Sequence, residues 1–126
     1  MEMSKIAVAV IGLAVGAGAS AIYAQSTAPY YEVVEINVKD QANYEKSGVD
    51  KVQESMKTNG GKIIAGGYNK ATSIMGAAPA NRFLVIQYPN KEGSDKTNVS
   101  VKAWYDSEGH KYSDLRSVGV ESVEQK

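Results

Sequence analysis

The sequence offers few side chains that could carry out acid–base or metal chemistry. It contains no cysteine and one histidine, His110, which excludes thiol catalysis, disulfide bonds, thiolate-bound metals and multi-histidine metal sites. Asp106 and Asp114 stand four residues before and after His110, so a helix would bring a carboxylate near the imidazole and raise its pKa. The same spacing is common on solvated helix surfaces, and no Gly-x-Ser-x-Gly motif supplies a nucleophile. The sequence predicts no specific catalytic residue, metal ligand or cofactor.

Two strand segments carry polar side chains that could point into a cavity. Residues 31–38 alternate between an apolar row and a mixed row, and the mixed row contains Tyr31 and Glu35. Residues 82–88 form a nearly continuous apolar strand, with Gln87 on one face. A carboxylate buried in a cavity could act as a base of raised pKa. The alternative is a glutamate that is simply hydrogen-bonded across an interface. The apolar row of the first segment is Val34, Ile36 and Val38.

Aromatic and basic residues near the C-terminus complete the candidate ligand-binding set. Trp104 and Tyr105 could form the wall of a pocket for a flat organic molecule, although such a pair also occurs in ordinary cores. Arg116 could bind an acidic group or pair with a neighbouring carboxylate. The predicted ligand-binding residues are Tyr31, Glu35, Gln87, Trp104, Tyr105, His110 and Arg116.

These residues have to be positioned by an alternating series of strands and helices. Asp40 is a suitable N-cap for a helix whose apolar positions recur every four residues and which ends at residues 59–61. After this helix we expect a strand at 62–65, a loop to Asn81, a strand at 82–88 and a polar loop at 90–98. A second helix is expected around Trp104. It is followed by a short turn, capped by Asp106 or Ser107, that carries His110, Tyr112 and Leu115, and by a last strand that contains Val118, Val120 and Val123.

This order predicts an α+β, ferredoxin-like split βαβ sandwich. Such a domain has a four-stranded antiparallel sheet with two helices on one face. The other face of the sheet is then open and, in this sequence, half apolar, which is typical of a partner or ligand surface. Two open faces that pack together would form a homodimer, a dimeric α/β barrel, with a pocket between the sheets.

The first residues have the pattern of an export signal. Lys5 precedes an uncharged apolar run at residues 6–19. We expect a signal peptide at residues 1–24, with cleavage after Ala24 or Ala21, a linker at 25–29 and the domain at 30–126. The alternative is an uncleaved N-terminal anchor. Either arrangement predicts a periplasmic or secreted domain, which in its mature form has no membrane contact.

The balance of charge argues against a nucleic-acid partner. Fourteen lysine and arginine residues balance fourteen aspartate and glutamate residues. Nucleic-acid-binding domains usually carry a basic stripe, and the sequence contains none.

Several short motifs occur in a fixed order along the chain: residues 31–40, Tyr44-Glu45, Gly60-Gly61, residues 82–89, and Trp104-Tyr105-x-Ser107 followed by Arg116. Together they resemble a known family, domain of unknown function 1330, which belongs to the dimeric α/β barrels. The resemblance extends from about Tyr30 to about Val123 and implies a dimeric barrel, but it implies no reaction.

Departures from the family pattern remove charges from the expected pocket. Gly66 or Gly67 stands where members usually have an arginine, and Met75 stands where they tend to have a glutamate. Gln87 replaces the glutamate that commonly ends the third strand, and His110 replaces a tyrosine. The resemblance therefore implies a pocket that is less charged than those of its relatives.

The sequence as a whole predicts an exported homodimer that binds a small, fairly neutral organic molecule in a pocket between two sheets. Three alternatives remain. One is a cofactor-free enzyme of the monooxygenase or isomerase kind, which would need an activated Glu35, tyrosine or His110. Another is a haem-binding barrel with His110 as the iron ligand. The last is a structural interaction module without a pocket.

Overall fold

The computed structural model describes residues 28–123, which form four strands, three α-helices and one 3-10 turn. The predicted export segment, residues 1–24, and the first three linker residues lie outside this range. The elements in chain order are β1 (Tyr30–Val38), α1 (Gln41–Glu45), α2 (Val49–Thr58), β2 (Lys62–Tyr68), β3 (Arg82–Tyr88), α3 (Lys91–Ser107), the 3-10 turn (Gly109–Lys111) and β4 (Ser113–Glu121).

The four strands form one antiparallel sheet in the order β2-β3-β1-β4. Strands β1 and β3 are therefore central. The connections that contain helices run from β1 to β2 and from β3 to β4, and in each case one other strand lies between the two connected strands. This is the split βαβ arrangement, so the predicted ferredoxin-like α+β fold is confirmed. The alternation predicted for β1 is also confirmed, because Val34, Ile36 and Val38 are buried while their neighbours Val33, Glu35 and Asn37 are not.

The core lies between one face of the sheet and the helices. Burial of this many large apolar side chains is the main stabilising contribution to a domain of this size. Across the described residues, the opposite face of the sheet has no helix packed on it and keeps large apolar side chains accessible to solvent. The core residues are Val34, Ile36, Val38, Tyr44, Met56, Leu84, Ile86, Tyr88 and Trp104.

The first helical region is broken, and the prediction of one continuous helix was wrong. The side chain of Asp40 does cap α1, accepting a hydrogen bond from the Asn43 backbone N–H at 3.2 Å. The helix stops at Glu45, and α2 begins after Gly48, which adopts a left-handed φ of 95° that favours glycine. At the other end of α2, Gly60 has a φ of 86°, so the predicted glycine cap is confirmed.

Helix α3 begins at Lys91, so the prediction of a loop at residues 90–98 was wrong. The Asn90 side chain caps the helix by accepting a hydrogen bond from the Gly93 N–H at 3.1 Å. The buried residues of its first turns are Gly93, Ser94 and Thr97. These small or polar residues give no apolar periodicity, although they fit closely against the rest of the domain.

The end of the chain is more extended than predicted. A turn carrying both His110 and Leu115 was expected, but the 3-10 turn ends at Lys111 and Leu115 lies in β4. Strand β4 ends at Glu121, so Val123 lies beyond it. Strand β2 continues past residue 65 to Tyr68, with an irregularity in its pairing between Ile63 and Ala65.

The long β2–β3 loop is fastened at its end and exposed at its tip. The Asn81 side chain accepts a hydrogen bond from the Val38 N–H at 2.8 Å and donates one to the Val38 carbonyl at 2.7 Å. Ile74 and Met75, near the middle of the loop, are 98% and 91% exposed. Two adjacent large apolar side chains with this exposure are unusual in a fold that is otherwise packed.

No helix within residues 28–123 has the length and apolar character needed to span a membrane.

Candidate functional site

The sheet face that the helices leave uncovered, here called the open face, collects four of the seven predicted site residues. Tyr31 lies opposite Gln87 in the β1–β3 pairing, and Glu35 lies opposite Arg116 in the β1–β4 pairing. Val33 lies between these pairs, in register with valines on both neighbouring strands. The other apolar members of the open face on these three strands are Phe83, Val85, Val118 and Val120. Lys62 on β2 lies on the same face, in register with Gln87.

An ion pair joins β1 to β4 on the open face. Arg116 Nη1 donates to Glu35 Oε2 at 2.8 Å, with the glutamate side chain 27% exposed and the arginine side chain 71% exposed. An exposed pair of this kind contributes little to stability, but it leaves this region without net charge. The geometry agrees with the alternative in which Glu35 is a hydrogen-bonded side chain rather than a free base.

A separate cavity, here called the inner cavity, lies between the other face of the sheet and the helices. Its volume is about 70 Å³, and its walls are almost entirely apolar. Strands β1 and β3 form its floor, and side chains of α2 and α3 cover it. The polar residues that line it include Glu32, Tyr44, Arg82, Tyr88 and Asn98.

Glu32 is a buried carboxylate that the sequence analysis did not single out. It is 3% exposed, and it accepts hydrogen bonds from the Ser94 hydroxyl and from Asn98 Nδ2, the latter at 2.7 Å. Both donors lie on α3, and one of them, Ser94, is among the small buried residues that make the start of that helix hard to detect. The strand alternation could have revealed that Glu32 is buried, since it is in the same row as Val34 and Ile36.

Two tyrosines on the inner cavity are harder to ionise than free tyrosine. Burial raises the pKa of Tyr88 to about 12; the nearby Thr97 hydroxyl acts in the opposite direction and the Glu32 carboxylate adds to the increase. Burial also raises the pKa of Tyr44, and the positive charge of Arg82 opposes the increase. Both phenols therefore remain protonated, and able to donate a hydrogen bond, throughout the physiological pH range.

The raised pKa of Tyr88 predicts a loss of stability in alkali. An unfolded tyrosine ionises near 10.0, whereas the folded one ionises near 12. The unfolded state therefore releases its proton first, and the free energy of unfolding should fall as the pH rises from 10 to 12, by up to about 1.4 kcal/mol per pH unit. Urea unfolding at several pH values measures this slope. Tyr88→Phe should reduce the slope; equal slopes in wild type and Tyr88→Phe would contradict the prediction.

The remaining predicted site residues do not join those on the open face. Trp104 is buried on the helix side, where its Nε1 donates to Ser47 Oγ at 3.0 Å and its ring contacts the edge of Tyr44 with centroids 5.9 Å apart. Tyr105 donates its hydroxyl to the Ser113 carbonyl at 3.2 Å. Trp104 lines the inner cavity, whereas Tyr105 serves to hold α3 against the start of β4.

His110 is exposed and has no carboxylate beside it, so the expected pairing with aspartate was wrong. Its Nδ1 is hydrogen-bonded to the Tyr105 carbonyl at 2.9 Å. Asp106 instead pairs with Lys102, and Asp114 pairs with Lys39. Helical spacing is lost here because α3 ends at Ser107 and the chain passes through a 3-10 turn into β4. Residues 28–123 contain no cluster of three or more acidic or histidine side chains that could hold a metal ion.

Comparison with solved structures shows the fold of this chain. The crystal structure of RPA0582, a protein of unknown function from Rhodopseudomonas palustris, matches with a TM-score of 0.58 and 10% identity over 83% of this chain and 94% of that chain. A structure of methylated RPA0582 matches with a TM-score of 0.59 and 10% identity over 82% of this chain and 91% of that chain. No known protein family and no curated protein matches the sequence. The resemblance to domain of unknown function 1330 therefore stays a prediction.

Proposed function

We propose that the mature chain is an exported homodimer, joined through the open faces of two sheets, that binds a small and fairly neutral organic molecule in the pocket between them. The observation that carries the proposal is the open face itself. It presents apolar side chains beside the Glu35–Arg116 ion pair, with Lys62 on its edge strand, and nothing in residues 28–123 covers it.

The composition of the open face favours a protein partner over water. Val33, Val85 and Val118 lie side by side at its centre, on three adjacent strands. Four strands of about seven residues give an area of about 450 Å², from the usual strand spacing and rise. This is within the range of the largest apolar patches of monomers, but it is smaller than the roughly 800 Å² that each partner buries in a standard interface. A dimer should therefore bury additional surface.

The β2–β3 loop is the most suitable source of that surface. Ile74 and Met75 are almost fully exposed at its tip, and the loop is held to β1 by the Asn81 side chain. Transfer of two large apolar side chains from water into an interface would contribute several kcal/mol. We propose that each loop packs against the partner subunit, so that its apolar tip becomes buried in the dimer.

The charges on the open face favour a neutral ligand. Glu35 and Arg116 neutralise each other, and Gln87 and Tyr31 can each donate and accept a hydrogen bond. A charged ligand buried between the sheets would lack an unpaired charge on β1 or β4 to neutralise it, because Glu35 and Arg116 already pair with each other. A neutral molecule with one or two polar atoms would leave the pair intact.

Export remains part of the proposal on sequence grounds, through Lys5 and the uncharged run at residues 6–19. His110, the histidine required by the haem-binding alternative, lies on neither sheet face, so the structure offers no observation in favour of that alternative.

Binding of a neutral aromatic probe tests the pocket. We expect phenol, added to the isotope-labelled mature protein, to shift the backbone amide signals of Tyr31, Glu35 and Gln87 along one common saturation curve. Gln87→Trp should fill the pocket and abolish the saturable shifts without dissociating the dimer. Val99→Trp, on the exposed side of α3, is the matched control and should bind phenol as wild type does. Shifts that are linear in phenol concentration, or that avoid these residues, would refute the pocket.

A further inference from the structure

The tip of the β2–β3 loop is a turn that presents two apolar side chains to solvent. The Ser73 hydroxyl donates a hydrogen bond to the Gly76 carbonyl at 2.9 Å, and Gly76 adopts a left-handed φ of 90°. Ile74 and Met75 lie between these two residues and are almost fully exposed. The turn is therefore shaped by the residues on either side of the apolar pair, and the pair itself is not part of the core.

Met75 is the thioether of the domain that an oxidant in solution can reach. Of the four methionines, Met1 and Met3 lie in the predicted export segment, so the mature chain keeps Met56 and Met75. Met56 is 7% exposed and belongs to the core, whereas Met75 is 91% exposed. The sequence contains no cysteine, so no thiol competes for the oxidant. Because a core thioether meets a dissolved oxidant only when the fold opens, oxidation should be confined to Met75.

The reaction is the transfer of one oxygen atom to the Met75 sulfur. A lone pair of the sulfur attacks one oxygen of hydrogen peroxide, and the S–O bond forms as the O–O bond breaks. A proton shift releases the other oxygen as water. The sulfur is oxidised by two electrons, and the peroxide is reduced by two. The product, methionine sulfoxide, is polar, so the side chain loses its apolar character.

The position of Met75 connects this reaction to the proposed dimer. In the function proposed above, the apolar tip becomes buried against the partner subunit, and the present inference rests on that proposal. Burial of a sulfoxide without a hydrogen-bond partner is unfavourable, and two-fold symmetry places one such group at each of two tips. In return, a dimer that covers the tip protects the sulfur from peroxide.

We propose that Met75 is a redox-sensitive modification site, at which a hydroperoxide oxidises the free subunit and so prevents it from forming the dimer. Enzymatic reduction of the sulfoxide restores the thioether, and the switch is therefore reversible.

Peroxide treatment of the mature protein, followed by peptide mass spectrometry and sedimentation velocity, tests the site. We expect one added oxygen atom on the peptide that contains Met75 and none on the peptide that contains Met56. The dissociation constant of the oxidised dimer should be at least about 30-fold higher than that of the untreated dimer, since two polar groups enter each interface. Treatment with the two methionine sulfoxide reductases, one for each sulfoxide epimer, should restore the original value.

Variants separate oxidation of Met75 from damage elsewhere. Met75→Leu keeps an apolar side chain of similar volume and cannot be oxidised in this way, so its dimer should form as in wild type and survive peroxide. Met75→Gln introduces a polar side chain and should raise the dissociation constant by about tenfold or more without peroxide. Met56→Leu is the matched control. It removes the other thioether by a volume-conserving core substitution, and its dimer should dissociate with peroxide as the wild-type dimer does.

Protection of the sulfur gives a second readout that does not depend on the sulfoxide. Val33→Asp, a substitution on the open face, is expected to keep the subunits apart. Met75 in this variant should be oxidised at least about tenfold faster than in wild type at a protein concentration at which wild type is dimeric. Equal rates would show that the dimer leaves the loop tip exposed and would overturn the proposal.

Two further results would overturn it: an unchanged dissociation constant once Met75 is oxidised, or dissociation of the Met75→Leu dimer by peroxide. Both require that the untreated protein is dimeric, so they refute this inference and leave the proposed dimer standing. An untreated protein that is monomeric at every concentration would instead contradict the proposed function, and this inference with it.

Discussion

Replacement of Val33 by aspartate is expected to convert the proposed homodimer into folded monomers. Val33 lies at the centre of the open face, in register with Val85 on β3 and Val118 on β4. In a two-fold dimer each interface would receive two buried, unpaired carboxylates, each costing at least about 2 kcal/mol. The dissociation constant of the dimer should therefore rise by at least about 1,000-fold. Sedimentation velocity over a range of concentrations measures the change.

The matched control is the same substitution on the other side of the molecule. Val99 lies on the exposed side of α3 and is 73% exposed, so Val99→Asp should leave the dimer intact. The Val33→Asp monomer should keep its far-ultraviolet circular dichroism, because the open face is accessible to water in the monomer. If Val33→Asp remains dimeric, the interface lies elsewhere on the protein.

Gly93→Ala is expected to destabilise the domain by about 2–4 kcal/mol through overpacking. On helix propensity alone the substitution should stabilise α3 by up to about 1 kcal/mol. A methyl group at this position would, however, lie 2.4 Å from the Asn59 carbonyl oxygen and 3.2 Å from Cδ1 of the Tyr88 ring. The obstructing atom is backbone, so the start of α3 would have to move away from the end of α2. Urea unfolding with linear extrapolation measures the effect.

Val99→Ala tests whether the effect of Gly93→Ala comes from packing rather than from the helix itself. It changes the exposed side of the same helix and should alter the free energy of unfolding by no more than about 0.5 kcal/mol. A Gly93→Ala variant as stable as wild type would show that α3 can shift without cost and would contradict the close packing described above.

The strands were predictable because their signals are local. The alternation in β1 and the apolar run of β3 follow directly from which side chains face the core, and both strands were located from these patterns alone. The pairing of Glu35 with Arg116 was not predictable, because these residues are distant in sequence and the register between β1 and β4 decides whether they meet.

The helices were less predictable because their signals depend on packing between elements. The break at Gly48 depends on a left-handed backbone conformation, and the helical start of α3 depends on how closely small residues approach a neighbour. Gly93 contacts the end of α2, and Ser94 binds Glu32. Neither contact produces an apolar period in the sequence. The same limitation hid the inner cavity, whose polar residues come from six separate elements.

The seven predicted site residues lie in different parts of the structure, and the sequence indicated a shared position for only four of them. Tyr31, Glu35, Gln87 and Arg116 do share one sheet face, as expected from strand alternation together with the fold. Trp104 belongs to the inner cavity instead, while Tyr105 lies at the end of α3 and His110 lies in the 3-10 turn that follows it. The two faces of the sheet thus present different chemistry, since the open face carries the Glu35–Arg116 ion pair among valines, whereas the inner cavity is almost entirely apolar and contains the buried Glu32.

Sedimentation equilibrium of the mature protein tests most directly whether a second copy covers the open face. We predict a single species of twice the monomer mass at micromolar concentrations, dissociating only on strong dilution. A mass equal to that of the monomer at all concentrations up to about 1 mM, a value at which even weak specific association is populated, would contradict the homodimer and the inter-sheet pocket together.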